Sequence, residues 1–308
     1  MKRMSTNRKQ KNPPKLQLFA LLLALLLAFS AGAQPSARAE TASIIPDDSV
    51  PAIPRYDPSA SGAQGWVRAN GELFYLHDGY ALTGLQLIDG QYCYFDAYGV
   101  KTAAVGVDVS TYNENIDWER VKAQGVDFAI IRVGGRGWTS GKLYGDLRCE
   151  GYLRGARRAG LRIGAYFYST ATCEAEAVEE ADAALRVLRG RALDFPIFYD
   201  VEFSGEYPEG RADRLSAGQR TKNALAFCRR IESAGYRAGV YSGRYFYLAS
   251  LNRQALSARC LWMANYTRDG LPPDGAREYR LWQFSDRKSV AGICCGVDMN
   301  VLFTEFPQ

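Results

Sequence analysis

From Ala103 to the C-terminus, short apolar runs alternate with longer amphipathic ones. The apolar runs are Ala104 to Val109, Phe128 to Val133, Arg162 to Tyr168, Pro196 to Val201, Ala238 to Ser242, Leu261 to Tyr266 and Arg280 to Phe284. Their length and their β-branched and aromatic content predict strands. Between them, Trp118 to Gln124, Gly145 to Ala159, Glu174 to Arg189, Ala217 to Ala234 and Arg244 to Leu256 repeat apolar residues at helical spacing. Strands alternating with helices predict an α/β fold: a parallel sheet covered by helices and closed into an irregular (β/α) TIM-like barrel. Functional side chains in such a barrel gather at the C-terminal rim of its strands.

Upstream the pattern changes to a short repeat. Gly65-Trp66 leads to Gly71-Glu72-Leu73-Phe74-Tyr75 and Gly79, and Gly84-Leu85 leads to Gly90-Gln91-Tyr92-Cys93-Tyr94-Phe95 and Gly99. Aromatics on strands and glycines at turns make each unit a β-hairpin that buries its rings on the next. The expected division is residues 1–39 as a signal peptide or N-terminal anchor, 40–63 as a flexible linker, 64–102 as two hairpin repeats, and 103–308 as the barrel. The first assignment rests on six basic residues (Lys2, Arg3, Arg8, Lys9, Lys11, Lys15) ahead of the apolar stretch Leu16 to Ala33, with small residues at Ala31-Gly32-Ala33 and again at Ala37-Arg38-Ala39. The bulk of the chain is therefore expected outside the cytoplasm, secreted or at the cell surface, with membrane attachment only where that segment is retained.

The formal charge of +5 loses its meaning once those six residues are set aside, because the remainder then stands at −1. No basic surface argues for nucleic acid. The chain has seven cysteines, no Cys-x-x-Cys spacing and a single histidine, His77. That argues against a zinc site and against Ser/His or Cys/His nucleophile chemistry in the barrel, and no metal or cofactor is expected. Adjacent Cys294 and Cys295 are read as small buried residues rather than a redox pair.

Candidate chemistry centres on Phe195 to Glu202, an apolar run that ends in Asp200 and Glu202. Residues two apart on a strand share a face, so the acids would sit side by side, and like charges so placed push one of them to keep a proton. The same residues also suit the start of a solvated loop, since Ser204, Gly205 and Pro208 come next. Other strand ends bring Asp108, Tyr166, Tyr168, Tyr241, Trp262, Asn265, Tyr266 and Gln283, and the tail adds Asp298. Carboxylates with aromatics suit a sugar: rings stack on its C–H faces while acids bond hydroxyls and protonate the glycosidic oxygen. Taken singly, Tyr166, Tyr241 and Trp262 suit core packing equally well.

From Val105 to Phe303 the chain resembles glycoside hydrolase family 25, the lysozymes of the Chalaropsis or cellosyl type. The matching residues are Gly106 to Ser110, Ile116-Asp117-Trp118, Asp127 to Arg132, Gly164-Ala165-Tyr166, Pro196 with Asp200-Val201-Glu202, Gly239 to Ser242, Leu261 to Tyr266, Trp282-Gln283 and Val297 to Asn300. The resemblance implies hydrolysis of the β-1,4 bond between N-acetylmuramic acid and N-acetylglucosamine in the glycan strands of peptidoglycan. It implies Glu202 as general acid, Asp200 as stabiliser of a substrate-assisted intermediate, and Asp108 and Asp298 as neighbours that tune them. The departures touch the cleft lining: Asn113-Glu114 where the family often has Gln-Gly, Tyr166-Phe167-Tyr168 where it has Tyr-His-Phe, and Asn265 where it has Gln. Residues 65–101 resemble cell-wall-binding (choline-binding-type) repeats, but Leu85 and Cys93 replace aromatic residues of that pattern, so the segment is read as a spacer or weak wall-binding element. The alternative for the whole chain is a glycan-binding or surface-anchored module without activity.

Overall fold

The computed structural model describes residues 62, 64–205, 209–267, 270–272, 279–304 and 306. The expected signal or anchor, and the linker apart from Gly62, lie outside the described residues. The N-terminal part contains β1 (Gly65–Ala69), β2 (Glu72–His77), β3 (Tyr80–Ala81), β4 (Gly84–Ile88) and β5 (Gln91–Phe95). The barrel strands are β6 (Lys101–Val109), β7 (Phe128–Arg136), β9 (Arg162–Tyr168), β10 (Ile197–Asp200), β11 (Ala238–Gly243), β12 (Cys260–Ala264), β13 (Leu281–Lys288) and β14 (Val297–Leu302). They pair in the order β6, β14, β13, β12, β11, β10, β9, β7, and β7 returns to β6, so eight strands close a barrel. A short β8 (Leu143–Gly145) extends from β7.

The barrel is parallel except at its last strand. β14 runs antiparallel to both β13 and β6, whereas the sequence pattern predicted a parallel sheet. The connection over residues 289–296 is the reason: a parallel crossover needs about a dozen residues or more. With so short a link the chain can only turn back. Among the described residues no helix is long and apolar enough to cross a membrane.

Helices α1 (Trp118–Ala123), α2 (Cys149–Arg158), α3 (Glu174–Leu188), α4 (Ala217–Ser233), α5 (Arg244–Ser250) and α6 (Arg253–Leu256) fall where the helical spacing predicted them. Side-chain caps start several: Asp117 accepts from the Arg120 amide and Ser216 from the Gln219 amide, each at 3.2 Å. α4 buries Ala224, Phe227, Cys228 and Ile231, one stripe at helical spacing, against β10 and β11. Burying a side chain the size of Phe227 contributes roughly 1.5–3 kcal/mol. α3 turns Ala177, Ala181, Ala184 and Leu188 inward, and the small alanines let it lie close against α4.

The barrel interior is filled by rings rather than left as a pore. Phe128, Phe195, Phe198, Tyr241 and Trp262 form its core with Ile130, Leu281 and Leu302. Glycines make the room: a Cβ on Gly106 would strike the Phe128 ring, one on Gly164 would strike Ile130 and Phe195, and one on Gly239 the Phe198 ring. Polar side chains occupy the layer above these rings, at the C-terminal rim.

The segment from β1 to β5 contains two hairpins, β1–β2 and β4–β5. Their turns, Asn70-Gly71 and Asp89-Gly90, hold both residues at positive φ, the type I′ geometry that favours Asn-Gly and Asp-Gly. The first, with β3, makes its own three-stranded sheet, while β5 pairs with β6 and joins the barrel sheet. β6 therefore runs straight across the expected boundary at residue 102. Tyr94 is wholly buried edge-on against Trp282 and Phe303, and the Tyr92 hydroxyl donates to the Ser289 carbonyl at 2.6 Å. The second hairpin thus covers Trp282 of β13 and bonds the residue just after that strand.

Candidate active site

The acids converge because of how each strand ends. β10 finishes at Asp200, yet the chain stays extended for one more residue: the Val201 amide donates to the Tyr241 carbonyl at 3.1 Å, and the Ser242 hydroxyl to the Val201 carbonyl at 3.0 Å. Val201 and Asp200 are buried, and Glu202 is exposed just beyond the strand. The loop-start alternative fails for Asp200, the last residue of the strand, and holds for Glu202. Asp108 sits near the end of β6, directly opposite Asp298 on β14. The antiparallel direction of β14 is what brings Asp298 to this rim.

A hydrogen-bonded frame holds Asp108. Its Oδ2 accepts from Gln283 Nε2 at 2.9 Å and from Asn300 Nδ2 at 2.8 Å, and Asp298 donates to it as well. Gln283 Oε1 in turn accepts from the hydroxyls of Tyr241 (3.0 Å) and Tyr266 (2.9 Å), and Asn300 Oδ1 accepts from Trp262 Nε1 at 2.7 Å. Burial raises the Asp108 carboxyl, and these donors oppose the rise. Burial, with the neighbouring Asp108, pushes Asp298 up to about 9, so the pair favours keeping a proton.

Asp200 is buried, and its Oδ1 has no hydrogen-bond partner among the described residues. Burial first, then the charges of Glu202 and Asp108, raise its carboxyl well above the usual range, while Arg132 pulls the other way. Glu202 differs in setting. Solvent reaches it from the open cleft, but protein crowds its other sides, and this crowding with the Asp108 charge pushes it up to about 7. The open side tempers that rise without reversing it.

The predicted binding residues separate into two kinds. Tyr166 and Tyr168 are half-buried beside Asp200, and Tyr266 is exposed on the opposite wall. Trp262, only 2% exposed, packs beneath the cleft against Tyr166, Phe198 and Tyr241. With Tyr241 and Gln283, also buried, it supports the acids from below and offers no face to a sugar. Asn265 is half-buried, and its carbonyl accepts from Trp282 Nε1 at 2.8 Å.

Sequence reasoning left out several contributors. Asn300 belongs to the frame. Arg132, buried on β7, bonds Asp146 Oδ2 at 2.9 Å, lies with its guanidinium 5.0 Å from the ring centre of exposed Tyr112, and faces Asp200. Tyr144, also partly exposed, borders the same charges. An arginine inside the otherwise apolar run Phe128 to Val133 was the available signal. A cavity of about 800 Å3 lined by Leu153, Arg157, Ile163 and Arg191 contains none of the acids, so the chemistry does not lie there. Among the described residues no group of His, Cys, Asp or Glu is arranged to hold a metal ion.

Outside the cleft, Cys294 and Cys295 are exposed, which corrects the reading of them as buried; their thiols face the Tyr112–Glu114 turn. All seven thiols are unbridged. In the first hairpin, Lys101 Nζ lies 5.4 Å from the Trp66 ring centre, so the protein's own ammonium covers that ring.

A closed (β/α) barrel with clustered carboxyls under an aromatic-walled cleft at its C-terminal rim defines a glycoside hydrolase. The family model described as Glycosyl hydrolases family 25 matches residues 107–293, more than half of the chain. The chain belongs to that family and is a lysozyme-type glycoside hydrolase. Among curated relatives, the uncharacterized protein YegX of Escherichia coli K12 is 32% identical over 235 residues, covering 71% of this chain and 79% of that protein. An autolytic lysozyme of Clostridium acetobutylicum is 29% identical over 196 residues, 63% of this chain and 54% of that protein. The fold is shared with the modular autolysin LytC of Streptococcus pneumoniae at a TM-score of 0.61 and 23% identity, covering 77% of this chain and 57% of that one. It is shared with a family 25 glycosyl hydrolase from Bacillus anthracis at a TM-score of 0.56 and 19% identity, covering 74% and 96%. The chain thus spans little more than half of the autolytic lysozyme and of LytC.

Proposed function

We propose that this chain is an N-acetylmuramidase of the Chalaropsis type, acting outside the cytoplasm on the β-1,4 bond between N-acetylmuramic acid and N-acetylglucosamine in peptidoglycan. The observation that carries the reading is the asymmetry of Asp200 and Glu202. Glu202 is open to the cleft and raised to about 7, which suits a general acid that must hold its proton near neutral pH. Asp200 is closed in beside it, its carboxyl raised by burial and by the Glu202 charge and drawn back by Arg132, which sets it apart from the acid and suits a charge-stabilising role.

In this reading Glu202 donates its proton to the glycosidic oxygen as the bond to the muramic acid breaks. The substrate's acetamido oxygen attacks the sugar carbon, Asp200 holds the acetamido N–H and offsets the positive charge that develops, and water then opens the cyclic intermediate, giving up its proton to the ionised Glu202. Because the nucleophile belongs to the substrate, the separation of the two carboxyls does not forecast the stereochemistry. Asp108 and Asp298 set the field beneath them. The hairpins act as a spacer or weak wall contact and not as a choline site, a reading that Lys101 over Trp66 supports.

Digestion of purified peptidoglycan followed by mass analysis of the fragments tests the proposal. Muramic acid at the new reducing ends is the expected result. Glucosamine at those ends would make the enzyme a glucosaminidase, and no release at all would favour a glycan-binding module.

A further inference from the structure

The catalytic cleft is acidic, and its nearest buried cation is already committed. Asp108, Asp200, Glu202 and Asp298 gather there, Asp286 adds its charge beside Asp298, and Arg132 is tied to Asp146. With Glu202 raised to about 7 and a proton kept by the Asp108–Asp298 pair, the charges that remain are those of that pair and of Asp286, and they still disfavour a substrate with carboxylates of its own unless cations stand at the entry. One place supplies them. β13 continues beyond its last pairing with β12, at Gln283, so that residues 284–288 rise above the rim paired only with β14.

The outer side of this extension and the start of β4 enclose a cavity of about 520 Å3, within the roughly 300–1,000 Å3 of sites that hold small ligands. Thr83 and Gln86 form the hairpin side; Ser285, Asp286, Arg287 and Lys288 form the barrel side. Tyr266 joins the cavity to the cleft, since its ring lines the cavity while its hydroxyl bonds Gln283, the partner of Asp108. Arg287 is engaged by Asp286 at 2.8 Å, whereas Lys288 is exposed with no ion pair among the described residues.

We infer that this seam between the second hairpin and β13 is a subsite for the anionic peptide stem of peptidoglycan, with Lys288 and Arg287 meeting its carboxylates while the glycan lies over Tyr266 and the acids. The hairpin is then one wall of the substrate path as well as a cover for β13. This rests on the muramidase reading above.

The test compares the full chain on two polymers, peptidoglycan with its stems and the same glycan stripped of them by an amidase. Wild type should show a lower KM on the stem-bearing polymer. Lys288→Ala should raise that KM by roughly 2- to 5-fold, the range of an exposed ion pair; Lys288→Glu should raise it further, and Arg287→Ala in the same sense. None of these changes should alter kcat on the stem-bearing polymer or KM on the stripped one, and the difference should fade as salt is added. An equal KM for both polymers in wild type, or an equal change on both in the variants, overturns the inference while leaving the muramidase reading intact. A wild type inactive on both polymers overturns both.

Discussion

Replacing Asn300 by alanine removes the centre of the frame under the acids. Asn300 is wholly buried and bridges Asp108 Oδ2 (2.8 Å) to Trp262 Nε1 (2.7 Å). Alanine leaves the indole N–H without its acceptor and takes away one of two amide donors on that carboxylate oxygen, the other being Gln283. A buried polar group stripped of its partner loses about 1–3 kcal/mol, and a hydrogen bond to a charged acceptor is worth about 1.5–3 kcal/mol. The expected destabilisation is therefore about 3–5 kcal/mol, a large share of the roughly 5–15 kcal/mol typical of a folded protein. The assay is urea unfolding of wild type, Asn300→Ala, Trp262→Phe and the double variant, with the denaturant slope as a check that the unfolding reaction is unchanged. In the double variant the stranded indole N–H is gone, so the pair should be coupled by about 1–2 kcal/mol. A loss below about 1 kcal/mol for Asn300→Ala, or additive single effects, would refute the frame as an energetic unit.

Glu202→Gln should lower hydrolysis by roughly 100-fold or more with unchanged far-UV circular dichroism, since general acid catalysis commonly contributes that much; undiminished activity in a folded variant removes Glu202 from the role. Because the acid must be protonated and is raised to about 7, kcat/KM should fall as pH rises through that value, and a rate that stays flat to pH about 9 contradicts the assignment. Stability should move with the same sign. Carboxyls raised on folding contribute fully below their unfolded values and lose that contribution as pH climbs through the folded ones, so the urea midpoint should drop between pH about 5 and 9, and Asp298→Asn should flatten the drop. An unchanged slope in that variant rules Asp298 out as its source. In native protein a water-soluble maleimide should label Cys294, Cys295 and Cys173 and spare Cys149 and Cys228, whose thiols burial raises to about 12; early labelling of Cys149 would contradict its burial.

The alternation of strands and helices was legible because each barrel strand has an apolar core-facing set and each helix a single buried stripe. The acids were legible because charge at the end of an apolar run has few structural explanations. Two features were hidden for different physical reasons. Trp262 carries the same pattern whether it faces a sugar or fills the barrel; its burial is decided by Tyr166, Phe198 and Tyr241 on other strands, which pack around it. The direction of β14 leaves no mark within Val297 to Leu302, and only the short link before it reveals the turn back. Arg132 was visible as a lone charge in an apolar run, but its purpose depends on Asp146 and Asp200, which are distant in sequence.

That reversed strand has a chemical consequence. It sets Asp298 against Asp108 with one proton between them, so the pair presents a single negative charge below Glu202 and helps the acid keep its proton. Asp200 faces a different problem, because burial and its neighbours favour its neutral form while its proposed role requires a negative one. Arg132 offsets part of that penalty. In the proposed mechanism the remainder would be offset by the reaction itself: positive charge developing on the sugar would favour the ionised carboxylate, and Asp200 would then interact more strongly with the transition state than with the ground state. Such a difference accelerates a reaction, whereas equal binding of both would not. An unpartnered oxygen in a buried carboxyl, a liability for folding, is then consistent with a site organised around a charge that appears only during the reaction.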